Sequence, residues 1–203
     1  MITTLLVIRH GQTDSNISGY YMGWSQEDLN ETGYKQVQML SHRLSDTLID
    51  AIYTSPLKRA RATAEAVAEL HNITPIVMEE LIEINLGDWQ ELHASDIIKR
   101  WPDMWKQSRV DPSGLAWPNG GSFAQTADRS VRAFDSIVDA NRGKLVAIVT
   151  HDIIARIMAM HVLGVPYSTY RRMEIGNASF TKIVIMNDKN QLITLNATSH
   201  LGY

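Results

Sequence analysis

Cysteine is absent from this 203-residue chain. That excludes disulfides, thiolate metal sites and a thiolate nucleophile, and leaves the redox compartment open. No apolar run reaches membrane-spanning length, so no membrane partner is expected. The N-terminus lacks a basic segment followed by a long apolar core, so no signal peptide is expected and a cytoplasmic location is. An excess of positive charge is missing too. The formal net charge is −3 with seven His counted neutral, and the charges are spread rather than grouped. A nucleic-acid partner is therefore not expected. There is no glycine-rich phosphate loop and no Asp/Glu cluster for Mg²⁺, so neither a metal nor another cofactor is implied. No repeat, low-complexity segment or linker interrupts the chain. With 44% apolar residues, residues 1–203 are expected to form one domain with a sizeable core.

What is present alternates between strand and helix signals. Residues 4–8 form an apolar run that reads as a buried strand. Residues 12–31 have no clear period and are expected to be a long loop, of the kind that is functional or disordered. From Thr32, Val37, Leu40, Leu44 and Leu48 recur at helical spacing. A short strand is expected over residues 51–54. Ser55-Pro56 then reads as an N-cap and first helical residue, with Leu57, Ala60, Ala64 and Val67 on one helix face. A weaker strand is expected at 76–78. Residues 79–121 are the least regular part, with a helix over 94–108 and a turn-rich stretch ending in Gly120-Gly121. Ser122-Phe123-Ala124-Gln125 matches a capping box opening a long helix that ends near Gly143. A strand at 145–150, a helix at 153–163 closed by Gly164 and Pro166, and strands at 179–187 and 191–196 complete the chain. This alternation predicts an α/β fold, a mostly parallel sheet covered on both faces in three α/β/α layers. Residues 84–121 read as an insertion folding over the site.

Ligands of open α/β sheets sit beyond the C-terminal strand ends. The first strand delivers Arg9 and His10 there, and the strand at 145–150 delivers His151. The helix after Ser55-Pro56 points its N-terminus to the same edge, with Arg59 in its first turns. Helix N-termini and guanidiniums bind anions, and two Arg with two His suggest a phosphate dianion. Without a metal or a P-loop, the remaining route is covalent, with an imidazole as nucleophile. A carboxylic acid must then protonate the leaving oxygen.

Arg9-His10-Gly11 with Thr13 and Asn16 resembles the signature of the histidine phosphatase superfamily, the phosphoglycerate mutase-like proteins. Residues 55–64 are similar to the family's second motif, whose phosphate-binding Arg is here Arg59. Leu81-Ile82-Glu83, followed by Gly87-Asp88-Trp89, resembles the proton-donor segment and makes Glu83 the acid. Val149-Thr150-His151 resembles the last motif. The resemblance covers most of the chain and implies a phosphoglycerate mutase-like fold and metal-independent hydrolysis of small phosphorylated metabolites through phosphohistidine. His10 would attack, Arg9, Asn16, Arg59 and His151 would hold phosphate, and Glu83 would act as acid and then base. Residues 151–180 resemble the branch containing α-ribazole phosphatase and broad-specificity phosphatases. The natural ester and the oligomeric state stay open.

The chain departs from the family pattern at Gln12, Gln90, Glu91, Gly121 and Asp152. Asp152 puts an acidic group near the phosphate pocket, which is unfavourable unless it points away or caps a helix. Gly23-Trp24 with Leu29 and Gly33 is similar to the mutase branch, but the longer insertion of true mutases after the acid is missing. Two other readings are a mutase and a phospho-ligand binding module without turnover. Trp89, Trp101, Trp105 and Trp117 are either core packing or a substrate platform. His42, His71 and His161 fall on expected helices as surface or core-edge residues, and Arg61 as a solvated helix charge.

Overall fold

The first strand dictates the architecture. In β1 (Ile2–Arg9) Leu5, Leu6, Val7 and Ile8 are all buried, so both faces must be covered. The computed structural model, which describes residues 1–186 and 189–202, shows how. After β1 come α1 (Asp14–Ser18), β2 (Tyr20–Tyr21), α2 (Glu31–Leu44), β3 (Ala51–Thr54), α3 (Lys58–Glu69) and β4 (Ile76–Val77). Then follow β5 (Leu92–His93), α4 (Ala94–Arg100), α5 (Pro102–Val110), α6 (Phe123–Ala140), β6 (Leu145–Thr150), α7 (Asp152–Leu163), β7 (Phe180–Met186) and β8 (Lys189–Ala197).

The main sheet has the order β4-β3-β6-β1-β7-β8. Its first four strands are parallel, and β7 and β8 join antiparallel. Alternation along β1 sorts the core. Leu6 and Ile8 pack with Leu40 and Leu44 of α2 and Ala60, Ala64 and Val67 of α3. Leu5 and Val7 pack with Phe134 and Ile137 of α6 and Ile154 and Met158 of α7. The result is the expected three-layer arrangement with a mostly parallel sheet. A third apolar cluster, built around Trp89, Trp117 and Phe123, lies beside the second and takes in most of the irregular middle of the chain.

Several local expectations change. Residues 12–31 are not one loop: α1 closes on Gly19 in the left-handed region (φ 79°), and β2 pairs with β5. Elements of two to five residues are too short to show a period. Helix α2 is capped by Asn30, whose side chain accepts from the Gly33 amide, and it ends at Leu44, leaving Leu48 exposed. Ser55 does not cap α3; Leu57 holds that position. The helix expected over 94–108 is two helices broken at Trp101, because Pro102 disfavours helical backbone in the residue before it. The Ser122 capping box and the Gly164 C-cap form as expected. Asn187, the last residue of the strand expected at 179–187, lies outside the described residues. His93 caps α4, accepting from the Ser95 amide, and Arg61 is exposed beside Glu65.

Two glycines bring α2 against the end of β1. A Cβ on Gly33 would lie 2.1 Å from the Gln12 carbonyl oxygen, and one on Gly11 would lie 2.9 Å from the Gly33 oxygen. No side chain fits either position, so this close approach fixes the backbone that follows His10.

Candidate active site

Strand register builds the site. Arg9 pairs with Thr150 and Thr54 with Val149, so His10, His151 and Ser55 emerge side by side at the C-terminal edge. The two imidazole centroids are 5.2 Å apart. His10 Nδ1 lies 2.7 Å from the Gly11 carbonyl oxygen. A carbonyl only accepts, so Nδ1 carries the proton and Nε2 presents its lone pair. Burial, reinforced by the Arg59 and Arg9 charges, holds the His10 pKa well below its ordinary value, so the ring is neutral at pH 7.

His151 is wholly buried behind His10, with its pKa lowered by burial and then by the Arg59 charge. The Ser55 hydroxyl accepts from the Leu57 amide at 3.3 Å and lies 2.7 Å from His151 Nε2. A neutral ring receiving the Ser55 proton at Nε2 keeps its own proton on Nδ1, which has no hydrogen-bond partner among the described residues.

The cations come from both strand and helix. Arg9 Nη1 donates to the Ile175 carbonyl at 2.6 Å. Arg59, buried in the first turn of α3, donates to the carbonyls of Gly23 at 2.8 Å and Ser25 at 2.9 Å. It therefore pins the segment after β2 over the site. Asn16 Oδ1 accepts from the Thr13 amide and from Asn177 Nδ2 at 2.8 Å, which leaves the Asn16 amide nitrogen for a ligand.

Glu83 lines, together with Arg9, His10, Asn16 and Arg59, a cavity of about 410 Å³. Its Oε1 accepts from the Ile84 amide at 2.8 Å, and its Oε2 faces the Ile153 amide at the start of α7 at 3.5 Å. Its carbonyl accepts from Trp24 Nε1 at 2.6 Å and from Arg129 Nη2 at 3.3 Å. Burial raises the carboxyl to about 7, and Asp152 adds to the rise. These outweigh the two amides and the Arg59 charge, which pull the other way. The acid is thus half-protonated near neutrality before any phosphate arrives. The competing carboxylates Glu79, Glu80, Asp88 and Glu91 are all exposed, and none lines the cavity.

Asp152 does not spoil the pocket. It opens α7, accepts from Arg156 Nε at 2.9 Å and from the Tyr170 hydroxyl at 3.4 Å, and lies 4.0 Å from Arg9. The other departures also have places. Gln90 Oε1 accepts from the Trp24 amide, and Glu91 sits in the left-handed region at φ 61°, a conformation glycine adopts without strain. Among the described residues no group of His, Asp and Glu is arranged to hold a metal ion.

The four tryptophans form one cluster. Ring centroids place Trp89 6.2 Å from Trp101, 6.2 Å from Trp105 and 6.1 Å from Trp117. Trp89 and Trp117 are buried, and both also line the cavity, so the same rings serve the core and the site wall.

Sequence reasoning missed Ser55 as a partner of His151, along with Asn177, Arg129 and the Trp24 indole. Asn177 Nδ2 reaches the carbonyls of His10 and Gly11 at 3.2 and 3.3 Å, across more than 160 residues of sequence.

A cavity with a neutral imidazole, two guanidiniums and a protonatable carboxyl defines a phosphoryl-handling enzyme of the α/β class. The model of the histidine phosphatase superfamily (branch 1) matches residues 5–198, and the chain belongs to this superfamily. Phosphoserine phosphatase 1 of Hydrogenobacter thermophilus is 31% identical over 98% of this chain and 94% of its own. The adenosylcobalamin/α-ribazole phosphatase of Salmonella typhimurium is 28% identical over 95% of this chain and 96% of its own. Among solved structures, YhfR of Bacillus stearothermophilus superposes with a TM-score of 0.93 at 31% identity, covering 98% of this chain and 99% of that one. The superfamily and its named phosphatase relatives make the chain a phosphatase.

Proposed function

We propose that this phosphatase hydrolyses phosphomonoesters without a metal, through a phosphohistidine on His10. Nε2 of His10 attacks phosphorus while the alcohol oxygen leaves. The P–N bond forms as the P–O bond breaks, and Glu83 gives its proton to the departing alkoxide. Glu83, now ionised, takes a proton from water as the water attacks phosphohistidine, releasing phosphate and restoring His10. Arg9, Arg59 and the Asn16 amide meet the charge on the equatorial oxygens, and His151 offers Nδ1–H from behind His10. Residues 84–121 act as a cover within a single domain. A cytoplasmic location fits small phosphorylated metabolites as substrates.

The observation that carries this reading is the tautomer of His10. Its bond to the Gly11 carbonyl leaves Nε2 as a lone-pair donor within a cavity shared with Glu83 and both guanidiniums. Phosphate release from a panel of phosphorylated metabolites, in buffer containing EDTA, tests it. Turnover in EDTA is the expected result. Turnover only after Mg²⁺ or Zn²⁺ is added would overturn the metal-free mechanism.

A further inference from the structure

The catalytic groups occupy only the inner part of the cavity. Its outer wall carries two more cations, Arg109 at the end of α5 and Arg171 beyond α7. Neither is used by the chemistry above. Neither takes part in an ion pair among the described residues.

Both guanidiniums are held in place. Arg171 Nε and Nη2 donate to the Ser108 carbonyl at 3.3 and 2.9 Å, and its guanidinium carbon lies 4.9 Å from the Tyr170 ring centroid. Its Nη1 is left uncommitted. Arg109 lies 5.7 Å from the Trp105 ring centroid. Both residues are solvent-exposed and share the mouth of the cavity, so two positive charges stand open to an incoming anion. Their free donors are few and suit a planar two-oxygen group.

We propose that Arg109 and Arg171 bind a carboxylate on the organic part of the substrate, which makes the preferred substrates phosphorylated hydroxy or amino acids. This rests on the phosphatase reading and narrows it, since the inner pocket recognises only the phosphate shared by every ester. A carboxylate-bearing ester gains two charge-assisted contacts that its neutral analogue lacks.

The test is a ratio of kcat/KM values on matched esters. The first pair is 3-phosphoglycerate and glycerol 3-phosphate, identical but for a carboxylate in place of CH2OH. The second is phosphoserine and phosphoethanolamine. Wild type is expected to prefer the carboxylate member of each pair by about tenfold or more. Arg109→Gln and Arg171→Gln should each lower that ratio severalfold, and the double variant should abolish it. A ratio measured on one preparation does not depend on how much of a variant is folded. Wild type without a preference, or variants with an unchanged ratio, would overturn the proposal. So would a bisphosphate preferred over its monophosphate with no preference within these pairs, because the clamp would then serve a second phosphate. Failure to hydrolyse any ester, p-nitrophenyl phosphate included, would instead strike the phosphatase reading and this inference with it.

Discussion

Replacing Glu83 by Gln removes an ionisation that the fold resists. Burial carries this carboxyl from an ordinary 4.5 to about 7. A raised carboxyl pKa means that the folded state binds more protons than the unfolded chain between those values. Stability therefore falls as pH rises from about 4.5 to about 7, then levels off. The full difference corresponds to about 3 kcal/mol at ~1.36 kcal/mol per pH unit. Between pH 5 and pH 8.5 about 2.5 kcal/mol of it should be visible. Glu83→Gln cannot ionise and lacks this contribution. Lowered pKa values at His10 and His151 act in the opposite direction, but they are present in both proteins and cancel in the comparison. Urea unfolding of wild type and variant at both pH values gives the difference directly. The variant should gain about 2.5 kcal/mol on wild type between pH 5 and pH 8.5. Activity should move oppositely. Alkyl esters should lose about 10²–10⁴-fold, while p-nitrophenyl phosphate, whose leaving group needs little protonation, should lose much less in the single-turnover burst. Parallel stability curves would refute the buried, proton-holding Glu83, and equal burst losses on both esters would refute its role as acid.

Asp152→Asn removes a charge that helps raise Glu83; the alkaline limb of the kcat/KM profile for an alkyl ester should shift to lower pH, and an unmoved limb would contradict the coupling. Trp89→Ala removes a buried ring at the centre of the aromatic cluster; it should cost about 3–5 kcal/mol in chemical unfolding, and folded Trp117→Ala should flatten substrate ranking, an unchanged ranking returning that ring to core packing alone. Gly33→Ala forces a Cβ to within 2.1 Å of the Gln12 carbonyl; it should lower kcat together with Tm, and wild-type values of both would show that the approach is not required.

The sheet and its reactive edge were legible because their signals are local. A four-residue apolar run in β1 and the apolar period of α2 and α3 suffice to predict buried strands and amphipathic helices. His10 and His151 sit immediately beyond buried strands and Arg59 in the first turn of α3, so motif and fold point to the same residues. Glu83 was harder: four other carboxylates lie close in sequence, and only the tertiary wall of the cavity separates the half-buried one that lines it from the exposed ones that do not. Asn177, Ser55 and Arg129 were invisible because their roles arise from strand register and long-range packing, which no local spacing encodes. The break at Trp101 did carry a signal, in Pro102, that the single helix expected over 94–108 overlooked. The cap of α3 was misread because the helix opens only at Lys58, so the Ser55 hydroxyl accepts from the Leu57 amide ahead of the helix and turns to His151.

The account stands on a covalent bond between phosphorus and His10 Nε2. Wild-type protein, mixed briefly with ³²P-labelled ester and quenched in alkali, should carry label on the peptide containing His10. That label should be stable in base, lost in acid, and absent from His10→Ala. Label on any other residue, or none in a wild type that turns over with slow dephosphorylation, would contradict it.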